Sequence, residues 1–187
     1  IKKEELVKKF NLDSDLPLII FSFVPDYPNN IMFGNYSNYI KTVCDSISGL
    51  SNYNCIYQFH PAVSQSHRLL LSDMQVPVSD LPTIELISIA DIYMTSYSST
   101  IRWAIAAALP VIHLDLYHFD NDDYKMCKGV KSVNTSNEFK LVIQQLKDNN
   151  DLYIELKKKQ SMDAEKWGIL DGKSGERIVN LIEELCQ

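Results

Sequence analysis

The chain has 187 residues, 18 basic and 24 acidic, for a formal net charge of −6, with 45% hydrophobic and 22% charged residues. That is ordinary globular composition at the length of one domain, and such a chain buries a core without disulfide or metal staples. The acidic balance excludes a dedicated nucleic-acid binder, because phosphate contacts need clustered Lys and Arg; the densest basic run, Lys157–Lys159, reads as the wet face of a helix. Cys44, Cys55, Cys127 and Cys186 stand far apart without a C-x-x-C pair, which argues against a zinc knuckle or disulfide scaffold and for reduced thiols in a cytoplasmic setting. The longest apolar stretch, 101–114, is interrupted by Arg102, Pro110 and His113 and is too short to span a bilayer. No signal-peptide pattern opens the chain. It begins at Ile1, so the expectation is one piece of a longer protein.

In chain order, Ile1, Leu6, Val7 and Phe10 share a helical face over 1–13. The run 18–24 is a buried strand ended by Pro25, and 26–36 is a polar, aromatic loop. A helix is expected over 37–50, a strand over 55–59, a short helix over 65–71 and an edge strand over 75–78, where Pro77 is tolerated. A helix over 82–90 carries Pro82 in its first turn. Strand 91–95 leads through the polar turn 96–100 into an apolar helix, 101–109, stopped by Pro110. Strand 111–114, an acidic loop to 123 and a short strand at 130–133 follow; helices at 136–147, 151–167 and 175–186 close the chain. Strands separated by helices of this length predict right-handed βαβ units, a parallel sheet and helices on both faces. Ligands of such sheets bind at the carboxyl ends of strands, so the residues just after each strand carry the functional reading.

Those residues are Pro25-Asp26, His60-Pro61, Ser96-Tyr97-Ser98-Ser99-Thr100, and Asp115 with the His and Asp residues after it. A hydroxyl among Ser98, Ser99 and Thr100 can cap the following helix, and spare N–H groups there attract an anion. A plain N-cap explains the same residues. Pro61 stiffens the exit after His60, whose imidazole can donate to a phosphate oxygen; a polar loop histidine is the simpler alternative. His113, Asp115, His118, Asp120, Asp122 and Asp123 crowd one region, but no calcium-loop spacing fits, so no metal site is assigned. Gly172-Lys173-Ser174 fails the phosphate-loop pattern, since Trp167 stands where that pattern needs glycine; it reads as a turn with Ser174 or a neighbour capping the last helix. No G-x-G-x-x-G or nucleophile-elbow pattern occurs.

Three segments together resemble the donor-binding C-terminal half of GT-B glycosyltransferases, nearest to the CDP-glycerol glycerophosphotransferase and capsule-polysaccharide transferase group. They are His60-Pro61, like the family's HP motif; Ala90–Ser99, like its AD–strand–DYSS motif; and Leu109-Pro110-Val111-Ile112 leading to Asp115 and Asp122-Asp123-Tyr124. The closing Asp171–Ile178 segment is similar as well. Ser96 departs from the pattern, where the teichoic-acid group usually has Asp, and Arg102 is unusual. The resemblance implies an α/β Rossmann-like domain over 1–187, lacking an N-terminal acceptor lobe. It implies His60 as the catalytic donor to the leaving phosphate, and His60, Pro61, Ser96, Ser98, Ser99 and Thr100 around the donor's phosphates. Asp26, Arg102 and Asp115 are further candidates for touching the donor. The donor would be a CDP-, CMP- or UDP-linked sugar or polyol phosphate, with no cofactor required. A glycan or lipid-linked acceptor and peripheral association with the inner face of the membrane would follow. Two other readings remain open: a sugar-nucleotide 2-epimerase or hydrolase, and a non-catalytic interaction module presenting Tyr27, Phe33, Tyr36 and Tyr39 to a partner.

Overall fold

The computed structural model of the chain describes residues 3–26, 32–118, 124 and 126–186; Tyr27, Asp120, Asp122 and Asp123 lie outside them. The elements are α1 (Lys3–Lys9), β1 (Leu18–Phe23), α2 (Tyr36–Ser48), β2 (Asn54–Phe59), α3 (Gln65–Asp73), α4 (Thr83–Ile87), β3 (Ile92–Thr95), α5 (Ile101–Ala106), β4 (Val111–Leu114), β5 (Val130–Val133), α6 (Ser136–Asp148), α7 (Asp151–Trp167) and α8 (Ser174–Leu185).

The strands form one parallel sheet in the order β2-β1-β3-β4-β5. The chain lays down β1 centrally, adds β2 on one side, then crosses to the other side for β3. The switch point therefore falls between β1 and β3, where a crevice opens at the carboxyl ends. All six β1 residues are buried, as an unbroken apolar run covered on both faces requires. Phe21, Phe23, Tyr57, Met94, Ile112 and Leu114 face α2 and α6, while Ile20, Ile56, Tyr93 and Val111 face α1, α4 and α5. The segment expected as an edge strand at 75–78 makes a single parallel bridge, Tyr57 to Val78. Tyr57 N donates to Pro77 O at 2.8 Å, and Pro77 has no N–H with which to extend a ladder.

Asp91 lies at the opposite end of β3 from the crevice. Its Oδ2 accepts from Leu18 N at 2.8 Å and from Lys3 Nζ at 2.7 Å, so it ties α1 and β1 to the base of β3. The first residues of the AD–strand–DYSS segment thus serve the scaffold, and only its far end reaches the site.

Helix α5 ends three residues earlier than its apolar run suggests. Ala108 adopts φ of +56°, with Leu109 N bonded to Ala104 O and Ala108 N to Ile105 O, both at 2.9 Å. This is the left-handed helix end that favours glycine. Ala108→Gly should therefore stabilise the chain by about 0.5–1 kcal/mol, read as a raised urea midpoint; an unchanged or lowered midpoint would contradict this helix end.

Helix α8 begins at Ser174, and no side chain caps it. The preceding turn is held by Asp171, whose Oδ1 accepts from Lys173 N at 3.0 Å, with Gly172 at φ of +76°. Ile178, Val179, Leu181, Ile182 and Leu185 make an apolar stripe along α8 and are 53–77% exposed.

Candidate functional site at the carboxyl edge of the sheet

Chain exits from β1, β2, β3 and β4 gather at one edge. Beyond β1, the backbone is fastened by two tyrosines: Tyr36 Oη donates to Val24 O, and Tyr117 Oη donates to Pro25 O at 3.5 Å. Tyr39, one helical turn after Tyr36, bonds Ser96 Oγ at 3.0 Å beyond β3. Burial pushes the Tyr36 and Tyr39 hydroxyls well above their ordinary value, so both remain protonated. Asp26 is exposed beside them.

His60 leaves β2 with its N–H on Phe23 O at 2.9 Å. Its exposed ring accepts from Ala62 N through Nδ1 at 3.1 Å. A neutral imidazole accepting at Nδ1 carries its proton on Nε2, so the ring presents an N–H donor outward. Arg68, on α3, holds this turn in place: Nη2 donates to His60 O at 2.9 Å and to Pro61 O at 3.4 Å, and Nε donates to Val63 O at 3.2 Å. Its guanidinium lies 5.3 Å from the centre of the Phe59 ring. His67, capped by Ser64, packs on Tyr36 with ring centres 4.5 Å apart.

The 96–100 turn divides its hydroxyls. Ser96, expected among the phosphate-contacting residues, is fully buried and spends its hydroxyl on Tyr39; it follows Met94 by two residues and so points to the same covered face. Ser99 is exposed. Ser98 and Thr100 are half-buried and share a 2.7 Å hydroxyl contact. The six-residue α5 does not offer its first N–H groups freely: Ile101 N bonds Ser98 O and Arg102 N bonds Ser99 O, both at 3.2 Å. Arg102 is exposed in the first turn of α5, whose buried residues are Ile101, Ala104 and Ile105, and it lines a groove with Ile84, Trp103 and Trp167. Asp115 is buried beyond β4.

His113 sits inside β4, edge-on to Tyr124 with ring centres 6.0 Å apart. Burial lowers its pKa, with Asp115 opposing. The folded ring stays neutral where an unfolded one charges, so the unfolded state binds the extra proton as pH falls through about 6.5. Stability is fully present above that pH and falls below it, by at most about 1.4 kcal/mol per pH unit. Urea melts at about pH 7.5 and about pH 5.5 should show this loss, and it should shrink in His113→Phe. An equal loss in that variant would assign it to other groups.

The structure thus brings Asp26, His60, Pro61, Ser98 and Ser99 to one open edge. It withdraws Ser96 into the protein, and Arg102 lines the groove beside Trp103. The aromatic partner face does not form as expected: Tyr36 and Tyr39 are buried, and Phe33 packs on Tyr39 and Phe139 at 5.5 and 6.4 Å. Among the described residues no three His, Cys, Asp or Glu side chains are grouped as metal ligands, and no helix is long and apolar enough to cross a membrane. Sequence reasoning missed Arg68 and the fastening roles of Tyr36 and Tyr39. Periodicity places Tyr39 on the buried side of α2 but leaves Tyr36 in the preceding loop, and nothing in it signals a guanidinium bonding carbonyls five to eight residues back.

This parallel sheet with helices on both faces is a Rossmann-like α/β fold, and solved structures, glycosyltransferases among them, share it. The chain is similar to the wall teichoic acid polymerase TagF, in a variant soaked with CDPG, at 18% identity over 97% of this chain and 45% of that one, with a TM-score of 0.64. It is similar to Staphylococcus aureus MnaA with UDP, at 17% identity over 99% and 49%, TM-score 0.69. It is also similar to the calicheamicin glycosyltransferase CalG4, at 11% identity over 92% and 42%, TM-score 0.60. The chain therefore spans slightly under half the length of the structures it matches. No protein-family model matches the sequence, and a search of curated proteins finds no significant relative.

Proposed function

We propose that this chain is the C-terminal, donor-binding half of a GT-B transferase. It would hold a CDP-, CMP- or UDP-linked sugar or polyol phosphate, used to build a cell-surface polysaccharide or teichoic-acid-type polymer at the cytoplasmic face of the membrane. One observation carries the reading: His60 Nε2–H and the hydroxyls of Ser98 and Ser99 stand on strand exits flanking β1 at the open edge of the sheet. Donors so placed stabilise negative charge growing on a leaving nucleotide phosphate, which is the main electrostatic demand of such a transfer. No proton needs to enter or leave the ring for that, because the neutral imidazole already donates. Pro61 and Arg68 keep the donor aimed, which lowers the cost of ordering it on binding.

The acceptor, a glycan or lipid-linked chain, and the catalytic base would belong to an N-terminal lobe. The exposed apolar stripe of α8 suits contact with such a lobe, since free chains rarely leave a contiguous apolar face to water. Calorimetric titration with CDP, CMP, UDP and GDP tests the reading. Selective binding of one nucleotide, without turnover of its sugar- or polyol-linked form by this chain alone, is the expected result. Binding of none would overturn it, and conversion of a nucleotide sugar to its epimer would move the site to the epimerase class.

A further inference from the structure

The carboxyl ends of parallel strands pose a difficulty for an anion, because backbone carbonyls, the negative ends of peptide dipoles, leave the sheet there. Strand β1 lies between β2 and β3, so a ligand reaching from His60 to the 98–100 turn rests over the exit of β1. The carbonyls of the β1 and β2 exits therefore lie along its path.

These carbonyls are taken from inside the protein. Phe23 O accepts from His60 N at 2.9 Å, and Pro25 O from Tyr117 Oη at 3.5 Å. Val24 O, between them, accepts from Tyr36 Oη. On the β2 side one guanidinium serves two carbonyls: Arg68 Nη2 donates to His60 O at 2.9 Å and to Pro61 O at 3.4 Å. Beyond β3, the first turn of α5 occupies Ser98 O and Ser99 O through Ile101 N and Arg102 N.

The donors at the β1 and β2 exits are not the ones a sheet ladder supplies. Val24 O, His60 O and Pro61 O depend on two long side chains, one from α2 and one from α3. Tyr36 is 2% exposed, and the direction of its hydrogen bond is fixed, since a carbonyl can only accept. Without the phenol, Val24 O becomes a buried acceptor lacking a donor, and rotation of its peptide toward the water of the crevice is the cheapest remedy. The carbonyl would then face any anion bound there. Tyr36 and Arg68 belong to one packed unit, because His67, next to Arg68 in α3, lies 4.5 Å from the Tyr36 ring between centres.

We propose that Tyr36 and Arg68 are positioning residues that keep the carbonyls of Val24, His60 and Pro61 turned into the protein, so that an anion at this edge meets N–H and O–H donors without opposing oxygens from these peptides. The anion rests on the donor-binding reading above; the carbonyl positions do not. The device discriminates by charge. A misdirected carbonyl repels in proportion to the charge on the ligand, so it costs a diphosphate most and an uncharged nucleoside nothing.

Two measurements test this separately. Carbonyl-carbon NMR of the nucleotide-free protein reads the hydrogen bonding of single carbonyls. In Tyr36→Phe, which keeps the ring and its packing, the largest change should fall on Val24. In Arg68→Lys, which keeps the charge but loses the fork, it should fall on His60 and Pro61. Unchanged signals at these carbons overturn the proposal, whatever the protein binds. Calorimetry then compares each variant with the parent for CDP, CMP and cytidine, or for the matching UDP or GDP series where that binds best, with inorganic pyrophosphate as the base-free probe. Each variant should lose about threefold to tenfold in diphosphate affinity, less for the monophosphate and nothing measurable for the nucleoside. Equal losses across the series mark a merely structural role and overturn the proposal while leaving the donor-binding reading intact. If no phosphate probe binds the parent, that reading and the proposal fall together.

Discussion

His60→Ala should weaken nucleoside diphosphate binding by about tenfold to a hundredfold, the cost of losing one hydrogen bond to a charged oxygen. The side chain is exposed, so its removal leaves the sheet intact; among the described residues the ring's hydrogen bond is to Ala62 N at 3.1 Å. Unfolding by urea should therefore move by no more than about 1 kcal/mol. His60→Gln keeps an N–H donor on a side chain of similar reach and should recover part of the affinity. Calorimetric titration of the three proteins checks this. Equal affinity in His60→Ala and the parent would remove His60 from the site, whereas a lost affinity accompanied by a collapsed urea midpoint would assign it to the scaffold.

Gly129→Ala should destabilise the fold by about 3 kcal/mol. A Cβ at this position would lie 1.9 Å from Gln160 Oε1, 2.4 Å from Gln160 Cβ and 2.6 Å from Gln160 Cα. The last two distances decide the effect: the obstacle is the α7 backbone, not the end of a flexible side chain, so trimming Gln160 to alanine leaves the clash. Helix α7 has little freedom to retreat. Asp163 Oδ2 accepts from Lys128 N at 3.0 Å, and Trp167 packs on Tyr124 with ring centres 5.9 Å apart. For a chain of this size the loss corresponds to a melting temperature lower by about 10 °C. A urea midpoint within error of the parent would mean that α7 does not close over Gly129 as described. The packing links the far side of the sheet to the site, because Tyr124 also reaches Ser98 O at 3.5 Å.

The architecture was legible because its signals are long and redundant. Strands β1, β3 and β4 are compact apolar runs with a proline or polar cluster after them, and the longer helices α2 and α6 each carry an apolar stripe. The same local signals placed His60 and the 98–100 hydroxyls on strand exits, which is where a parallel sheet opens its crevice. What escaped was everything decided by contact between distant segments. Ser96 reads as one more hydroxyl in a polar turn, yet the two-residue alternation from Met94 already pointed it toward Tyr39. Tyr36 and Tyr39 followed a polar loop and looked like a surface, although Tyr39 shares its helical face with Ile40, Val43 and Ile47. Arg68 has no periodicity of its own, and its role emerges only when its guanidinium meets the carbonyls of the turn beyond β2.

The central claim is that a nucleotide phosphate rests on the β1–β3 edge between His60 and the 98–100 hydroxyls. Amide chemical-shift mapping with the best-bound nucleotide tests it most directly. The account predicts that the largest shifts fall on His60–Val63 and Ser98–Thr100, and that they diminish in His60→Ala. Shifts confined to the groove of Ile84, Trp103 and Ile169, or spread without focus over the surface, would contradict it.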